Sequence, residues 1–314
     1  MSTDKIKITV LGSVNLDMVV KVVRLPREGE SVEGLSVENI PGGKGANQAV
    51  QSSLLDAKTW FIGCVGTDES GATLVSALRE KGVRTDFVSK MSGTQSGTCA
   101  ILVDPQGRNM LAYTAGANRK VETALIEKAS EAITESDFLI AQNEINPDAT
   151  MAGLKYAHEY GIRTILNPAP AFPLDDAIFP LIDFITPNET ECETYTGILR
   201  TSDTSNTWER ESAEWFLGKG VGAVCITLGG RGAYFFDGKT ELFSPAFPVE
   251  AVDTTAAGDC FNAGFAVGLA KGMTLPDSLR FANACGALAA SRMGAQTSIG
   301  TIEEIQEFLQ KENE

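Results

Sequence analysis

The segment from Ala251 to Asp259 joins the end of a predicted strand to the start of a predicted helix. Its small residues Ala256, Ala257 and Gly258 leave backbone N–H groups open at a helix N-terminus, which is a site for phosphate oxygens. Asp259 follows in the same turn and can accept a proton from a hydroxyl that attacks a phosphate. Taken alone, the segment fits phosphoryl transfer to an alcohol about as well as a capped turn that starts a buried helix.

Two other segments place polar residues beside glycines. The turn Pro41–Asn47 opens a predicted helix; its glycines let a ligand approach the backbone, and Asn47 offers donors and an acceptor. Asn15 and Asp17 follow the first predicted strand, and strand ends line the ligand crevice of a parallel sheet. Because they alternate along an extended chain, the pair suits neighbouring sugar hydroxyls. Each segment is also explained by a structural turn.

Two more strand-to-loop junctions carry candidate nucleotide contacts. Asn188 and Glu191 have oxygen atoms suited to a hydrated Mg²⁺ near phosphates, and they also fit a plain helix N-cap. The glycines of Thr227–Gly232 let a nucleotide lie against the backbone, although a tight turn explains them equally well.

Apolar strands alternate with amphipathic helices along most of the chain. This rhythm predicts an α/β fold with a central, mostly parallel sheet flanked by helices on both faces, in a single domain over residues 1–314. The predicted strands are Ile8–Gly12, Thr59–Val65, Phe138–Ala141, Thr164–Leu166, Phe184–Thr186 and Ala223–Thr227. The predicted helices are Gly45–Leu55, Ser70–Lys81, Val121–Ile133, Asp148–Tyr160, Trp208–Lys219, Gly258–Lys271, Leu275–Arg292 and Ile302–Gln310.

Two stretches interrupt this rhythm, Met18–Ile40 and Gly97–Thr114. The second contains the turn Asp104–Gly107 between two strand-like segments and predicts a hairpin. Together they predict a small β-sheet that either closes over a ligand as a lid or forms a peripheral flap. The predicted inward side chains, Cys99 and Ile101, are compact.

Composition narrows the classes of function. The 314 residues are 43% hydrophobic and 21% charged, which are globular values, and no apolar run reaches membrane-spanning length. A net charge of −15 argues against a nucleic-acid or anionic membrane partner. The polar start, Met1–Lys7, predicts no signal peptide, and six scattered cysteines predict reduced thiols; both indicate the cytoplasm. A single histidine, His158, excludes a multi-histidine zinc site and makes a Ser-His-Asp triad implausible.

The order of these segments resembles that of the ribokinase-like (PfkB) carbohydrate kinase family over nearly the whole chain. The segment Gly42–Asn47 resembles the first signature of the family, and Asp253–Asp259 resembles the second. Asn188 and Glu191 match its Mg²⁺–phosphate motif. The segments Asn167–Pro170 and Gly294–Ser298 resemble the ribokinase branch of the family in particular. One departure is Ala256, where many members carry glycine; alanine is common in that branch and leaves the amide free.

The resemblance implies a ribokinase-like fold and ATP-dependent phosphorylation of D-ribose at its 5-hydroxyl, with Mg²⁺ and an activating K⁺. It implies Asp259 as catalytic base and the amides of Ala256, Ala257 and Gly258 as an anion hole. The implied sugar-binding residues are Asn15, Asp17, Gly43, Lys44, Asn47, Cys99, Ile101, Glu144 and Asp259. The implied nucleotide-binding residues are Asn188, Glu191, Thr227, Gly229, Gly232, Gly258 and Asn283. The implied monovalent-cation site consists of Asp253, Thr255, Ala289, Arg292, Gly294 and Ser298. The lid is implied to form a homodimer interface as well.

Two alternatives remain open at this stage. The same chemistry on deoxyribose, a hexose or a nucleoside is the first, although compact Cys99 and Ile101 offer no aromatic surface for a base. A non-catalytic sugar-binding regulator on the same fold is the second. The presence of Asp259, Asn188 and Glu191 argues against it, and ATP turnover would decide.

Overall fold

The computed structural model describes residues 5–200 and 206–311. The predicted domain over 1–314 also includes residues 1–4, 201–205 and 312–314, which lie outside the described residues. The described strands are β1 Lys7–Leu11, β2 Asn15–Val22, β3 Gly34–Gly42, β4 Lys58–Gly66, β5 Arg84–Met91, β6 Gly97–Val103, β7 Asn109–Thr114, β8 Phe138–Gln142, β9 Arg163–Asn167, β10 Phe184–Ile185, β11 Ala223–Thr227, β12 Gly232–Phe236 and β13 Glu241–Pro245. The described α-helices are α1 Lys44–Leu54, α2 Glu69–Glu80, α3 Thr123–Lys128, α4 Ser130–Thr134, α5 Pro147–Glu159, α6 Glu189–Thr196, α7 Thr207–Gly218, α8 Ala257–Ala270, α9 Leu275–Ala290 and α10 Ile302–Lys311.

Nine strands form the central sheet, in the order β13-β12-β11-β10-β9-β8-β1-β4-β5. All neighbours from β5 to β11 are parallel, and β12 pairs antiparallel with both β11 and β13 at one edge. Helices connect the parallel strands, as βαβ connections require. The predicted α/β class is therefore confirmed. Because these strands are parallel, their carboxyl ends all lie on the same side of the sheet.

Alternate residues of the central strands feed two separate cores. Ile8 and Val10 of β1 pack in the core under α1, α2, α8, α9 and α10. Leu11 of the same strand packs in the other core, under α3 to α7. Because both faces are covered, the strands consist of nearly continuous apolar residues. No helix among the described residues is long and apolar enough to cross a membrane.

A second sheet of four strands, in the order β3-β2-β6-β7, lies apart from the central sheet. Strand β2 pairs antiparallel with β3 and parallel with β6, and β6 and β7 form the predicted hairpin. Asp104 stabilises the hairpin turn because its carboxylate accepts the Gln106 and Arg108 N–H groups, both at 3.0 Å. Strand β2 begins at Asn15 and strand β3 ends at Gly42, so the two strands extend beyond both ends of the predicted segment Met18–Ile40.

One predicted helix is wrong as a single element. The segment Val121–Ile133 contains two short helices, α3 and α4, separated at Ala129. The backbone leaves helical geometry there, with φ −89° and ψ 6°, and the Ala129 N–H lies near the carbonyls of both Leu125 and Ile126. The apolar periodicity continues across the break because both helices cover the same core.

Candidate functional site

A cavity of about 430 Å³ lies between the carboxyl edge of the central sheet and the inner face of the four-stranded sheet. Residues at or after the ends of β8, β9, β10 and β11 line it, together with the first residues of α1 and α8. Predicted site residues that line it are Asn15, Asp17, Gly43, Lys44, Asn47, Cys99, Ile101, Glu144, Asn188, Glu191, Thr227, Thr255, Ala256, Gly258 and Asp259. The structure thus brings every predicted sugar-binding residue to one cavity.

The start of α1 depends on Gly43. Its φ is +93°, and a Cβ atom there would lie 2.8 Å from both the Val14 Cα and the Asn15 N. Only glycine avoids this clash and adopts that backbone conformation without strain. The close approach places Lys44 and Asn47 beside Asn15 at the cavity.

Asp259, in the first turn of α8, is almost fully buried, with 7% of its surface exposed. Its Oδ2 accepts the Asn47 Nδ2–H at 2.9 Å, and its Oδ1 accepts the Gln48 Nε2–H at 3.1 Å. Burial raises the pKa of Asp259 above its usual value; Lys44 and the two amides work in the opposite direction, and Glu144 adds to the rise. The carboxylate is therefore fixed in place and is a stronger base than an exposed aspartate.

Lys44 lies near three carboxylates, those of Asp259, Glu144 and Glu191. Burial opposes its charge, but the carboxylates of Asp259, Glu144 and Glu191 outweigh burial and raise the pKa of Lys44. A charged lysine among three acids supplies part of the positive potential that a phosphate needs on a chain of net charge −15.

Helix α8 begins without a side-chain cap. Its N-cap residue, Ala256, has a left-handed backbone with φ +64°, and its side chain accepts no capping bond. The Ala257 N–H donates to the Thr254 carbonyl at 3.2 Å. The Gly258 and Asp259 N–H groups lie in the first turn and have no intrahelical partner. The geometry leaves these amides free for an anion at the cavity.

Asp17 and Glu144 form the acidic side of the cavity. Burial, and then the charge of Glu144, raise the pKa of Asp17 to about 7. The Ser13 hydroxyl donates to Glu144, and the Asn118 amide donates to the Asn15 Oδ1 at 2.7 Å. The buried Asn47 Oδ1 accepts no hydrogen bond from the described residues. These acceptors suit a ligand that carries several hydroxyl groups.

Asn188 and Glu191 form a capping box at the start of α6. The Asn188 Oδ1 accepts the Glu191 N–H at 2.8 Å, and Glu191 accepts the Asn188 N–H at 2.8 Å. Burial raises the pKa of Glu191, and the charge of Asp259 adds to the rise. The hydrogen bond from the Asn188 N–H and the charge of Lys44 lower it in part. Asn188 is therefore the predicted N-cap of α6, and both Asn188 and Glu191 also line the cavity, as predicted for nucleotide contacts.

Three predicted nucleotide residues lie outside this cavity. Asn283 of α9 is buried, and its Nδ2 donates to the carbonyls of Ser244 and Pro245 at 3.0 and 3.2 Å. Gly232 packs against β13, where a Cβ would lie 2.1 Å from the Ser244 carbonyl oxygen. Gly229 starts the short turn between β11 and β12. Their roles toward a nucleotide stay predictions.

The predicted cation residues surround the loop before α8. Asp253 accepts the Thr255 N–H at 2.9 Å and the Gly294 N–H at 2.9 Å. Burial acts against the charge of Asp253, but these hydrogen bonds prevail and lower its pKa. Ser298 donates to the Ala295 carbonyl at 2.7 Å, and the Arg292 N–H to the Ala289 carbonyl at 3.1 Å. Of these contacts, the one from Gly294 to Asp253 joins the loop after α9 to the loop before α8.

Several lining residues were not predicted from the sequence. Asn167 and Thr186 lie at or just after strand ends, so the rule that placed Asn15 in the crevice would have found them. Tyr113 and Leu111 of β7 are paired in register with Cys99 and Ile101, and all four face the cavity. The inner face of the small sheet therefore carries an aromatic ring, contrary to the expectation of compact side chains alone.

Comparisons with known proteins agree with this geometry. Residues 5–302 match the model of the pfkB family carbohydrate kinases. The ribokinase of Haemophilus influenzae is 37% identical over 96% of this chain and 98% of its own length. A deoxyribokinase of Salmonella typhi is 32% identical over 96% of this chain and 98% of its own length. The structure of Arabidopsis thaliana ribokinase complexed with ribose and ATP superimposes with a TM-score of 0.90 at 29% identity, covering 98% of this chain and 99% of that one.

The family match spans nearly all the described residues, and the curated relatives are similar over their full length rather than over one motif. The chain therefore belongs to the pfkB family of carbohydrate kinases.

Proposed function

We propose that this protein transfers the γ-phosphate of ATP to the 5-hydroxyl of D-ribose, giving D-ribose 5-phosphate and ADP. The single observation that carries the proposal is the position of Asp259. Its buried carboxylate lies at the N-terminus of α8, in a cavity that has hydroxyl acceptors on one side and free helix amides on the other. The full-length similarity to ribokinases supports ribose as the acceptor.

Asp259 acts as the general base. It accepts the proton of the ribose 5-hydroxyl, the hydroxyl oxygen forms the new bond to the γ-phosphorus, and the bond to the bridging oxygen of ADP breaks. Asn47 and Gln48 hold the carboxylate during this step through their amide N–H groups. The raised pKa of Asp259 makes its carboxylate a better proton acceptor than an exposed aspartate.

The α8 N-terminus and Lys44 stabilise the transferred phosphoryl group. The amides of Ala256, Ala257 and Gly258 form the proposed anion hole, and the helix dipole adds to it. The Ala257 N–H is the one that must leave its 3.2 Å contact with the Thr254 carbonyl to donate to phosphate. Phosphate binding would thus rearrange this turn.

The sugar site uses the acceptors of the cavity. Asn15, Asp17, Asn47 and Glu144 bind the ribose hydroxyls, and Gly43 lets the sugar approach the backbone of α1. Cys99 and Ile101 cover the sugar from the small sheet, which we infer to be a lid.

The nucleotide enters along Asn188, Glu191 and Thr227. An amide oxygen and a buried carboxylate are hard oxygen ligands, so Asn188 and Glu191 fit a hydrated Mg²⁺. When bound, Mg²⁺ neutralises charge on the phosphates. The adenine part of the nucleotide is proposed to lie near three residues outside this cavity: Gly229, Gly232 and Asn283.

A monovalent cation, K⁺ in our proposal, binds at the loops joined by Asp253. Its ligands are proposed to be largely carbonyl oxygens of the following residues: Asp253, Thr255, Ala289, Arg292, Gly294 and Ser298. Because Thr255 lies next to Ala256, occupancy of this site would fix the turn that binds phosphate.

We further infer a cytoplasmic homodimer that is formed through the outer face of the small sheet. Exposed apolar side chains on that face include Met18 of β2 at 39%, Val37 of β3 at 61% and Met110 of β7 at 52%. An exposed apolar face of this kind is typical of a contact with a second copy.

One observation favours a second acceptor. Tyr113 lines the cavity with 42% of its surface exposed, which gives a nucleoside base a ring to stack on. A deoxyribokinase is also among the full-length relatives. The test of the proposal therefore compares acceptors, and a Tyr113→Ala variant distinguishes a base-stacking role from a covering role.

The experiment is an ADP-release assay with ATP and Mg²⁺ over a panel of ribose, deoxyribose, hexoses and nucleosides, with K⁺ or a bulky organic cation. We expect the highest kcat/KM for ribose, with activation by K⁺. Higher kcat/KM for a nucleoside, lost in Tyr113→Ala, would replace ribose as the acceptor.

A further inference from the structure

Gln48 lies on α1 directly behind the proposed base, and its whole surface is buried. It does not line the cavity, so it does not contact a substrate. Its Nε2 donates to the Asp259 Oδ1 at 3.1 Å and, at the longer distance of 3.4 Å, to the Asn167 Oδ1. Asn47, the preceding residue, donates to the other oxygen, and its own buried Oδ1 has no hydrogen-bond partner among the described residues.

A second buried glutamine fixes the orientation of the Gln48 amide. Gln142, the last residue of β8, donates its Nε2–H to the Gln48 Oε1 at 2.7 Å and is fully buried. An ionised carboxylate only accepts hydrogen bonds, so Gln48 must present its NH₂ group to Asp259 and its oxygen to Gln142. The charge of Asp259 thereby determines the direction of the whole chain of amides.

The sequence near β1 makes room for this arrangement. A Cβ atom on Gly12 would lie 1.9 Å from the Gln142 Oε1. That oxygen has no partner among the described residues, and an unpaired buried oxygen costs free energy. A buried polar group that is only partly satisfied contributes little to folding, so a functional role explains the arrangement better than stability alone.

We propose that Gln48 is a positioning residue for phosphoryl transfer, oriented by Gln142. It holds the Asp259 carboxylate so that one lone pair faces the sugar hydroxyl, and it stabilises the ionised form. This inference rests on the proposed function of Asp259 as base. The charged groups that face Asp259 are Lys44 on α1, Glu144 after β8 and Glu191 on α6, and the test leaves all of them unchanged.

The test variant is Gln48→Met, which keeps the length and volume of the side chain but removes its hydrogen bonds to Asp259, Asn167 and Gln142. Gln51→Met is the matched control. Gln51 lies one turn along the same helix, is fully buried, and donates to the Gly300 carbonyl at 3.0 Å, away from Asp259. Both variants lose a buried amide from the same side of α1, and only one loses contact with the base.

We expect kcat of Gln48→Met to fall about 10- to 100-fold, because small misplacement of a reacting group has effects of this size. The KM values for sugar and ATP should change little. The acid limb of the kcat–pH profile should move to higher pH, since the ionised base has lost a donor. Gln51→Met should keep the profile of the unmodified protein.

A measurement without turnover separates this inference from the proposed function. The ¹³C carboxyl resonance of Asp259, assigned by its loss in Asp259→Asn, should titrate at higher pH in Gln48→Met than in the unmodified protein or Gln51→Met. A protein that shows this difference and lacks sugar-dependent turnover would contradict the proposed function alone. Equal titration in all three proteins, or equal loss of kcat in both variants, would overturn the positioning role.

If Gln48→Met does not fold, Gln142→Met carries the test. It removes only the donor to the Gln48 oxygen, so we expect the same direction with a smaller fall in kcat and a smaller shift. An unchanged kcat–pH profile in Gln142→Met would then overturn the proposal.

Discussion

At the level of single residues, the chemistry of the cavity depends on its carboxylate side chains. Asp17, Glu191 and Asp259 all have raised pKa values, with burial as the main cause, and Lys44 is the cation among them. Such a concentration of perturbed groups in one cavity is typical of an active site. Two of these acids have separate proposed tasks, base and sugar ligand, and each task has its own test.

Replacing Asp259 by Asn should remove turnover and leave the fold intact. The amide has nearly the same shape but cannot accept the proton, so we expect kcat to fall about 10²- to 10⁴-fold. Because burial disfavours the aspartate charge, thermal stability should be equal or higher. The check is kcat with a thermal melt, and an unchanged kcat would disprove the role of base.

Ribose affinity should depend on pH through Asp17. Its pKa is raised to about 7, so the free protein is largely protonated there below neutrality. Sugar hydroxyls that donate to the ionised carboxylate favour loss of that proton, so ribose binding should strengthen about tenfold from about pH 6 to about pH 8. Calorimetry should detect a proton released on binding near pH 7.

The same carboxylate links pH to stability. Its folded pKa lies above the unfolded value of 3.8, so the native state binds more protons between about pH 4 and 7, and this contribution to stability is lost as pH rises. Asp17→Asn is the control: pH-dependent ribose affinity that persists in this variant would assign the effect to another group.

Residue types and order in the sequence were enough to predict which positions gather at the cavity. They could not predict the network of Gln48 and Gln142, because these residues are 94 positions apart and meet only through the packing of α1 on β8. Tyr113 was missed for a similar reason, since its side follows from the register of the hairpin and not from its own segment.

The start of α8 is the critical element. Ala256 adopts a left-handed backbone that a Cβ disfavours, whereas Ala257 is already helical. Ala256→Gly should therefore raise the unfolding free energy by about 0.5–1 kcal/mol, and Ala257→Gly should lower it by a similar amount. Denaturant titration of both variants provides the check, and a loss of stability in Ala256→Gly would show that the turn is not strained.

At this scale the sequence predicted the element types well, because apolar periodicity and terminal glycines mark them. The break at Ala129 was missed, since no glycine or proline marks it. The two strands within Met18–Ile40 were predicted only as short extended segments. The pairing of β2 with β6 depends on contacts distant in sequence, which local patterns do not contain.

In the molecule as a whole, the small sheet links the sugar site to the proposed dimer interface. Its inner face lines the cavity, while its outer face exposes apolar side chains. If two copies pair through that face, pairing and sugar binding depend on the same strands. The fold class predicted from the sequence is confirmed; the homodimer stays a prediction, because an exposed apolar face does not by itself identify its partner.

A charge on the outer face should therefore separate the copies. Leu102 of β6 belongs to the face opposite Ile101, so Leu102→Glu should yield a monomer with weaker ribose affinity. Leu199→Glu is the control, because Leu199 is 74% exposed and lies outside the small sheet. Sedimentation that shows a monomeric unmodified protein at micromolar concentration would contradict the dimer, and normal affinity in a monomeric variant would contradict the coupling.

Transfer of a phosphoryl group from ATP to the 5-hydroxyl of ribose, with Asp259 as base, can be followed by ³¹P NMR of the reaction mixture. A phosphate ester on the C5 methylene couples to two protons and gives a triplet. We predict this triplet in step with ADP formation for the unmodified protein, and neither signal at comparable rate for Asp259→Asn. A doublet from an ester at a ring carbon, or ADP formation that does not require ribose, would contradict the account.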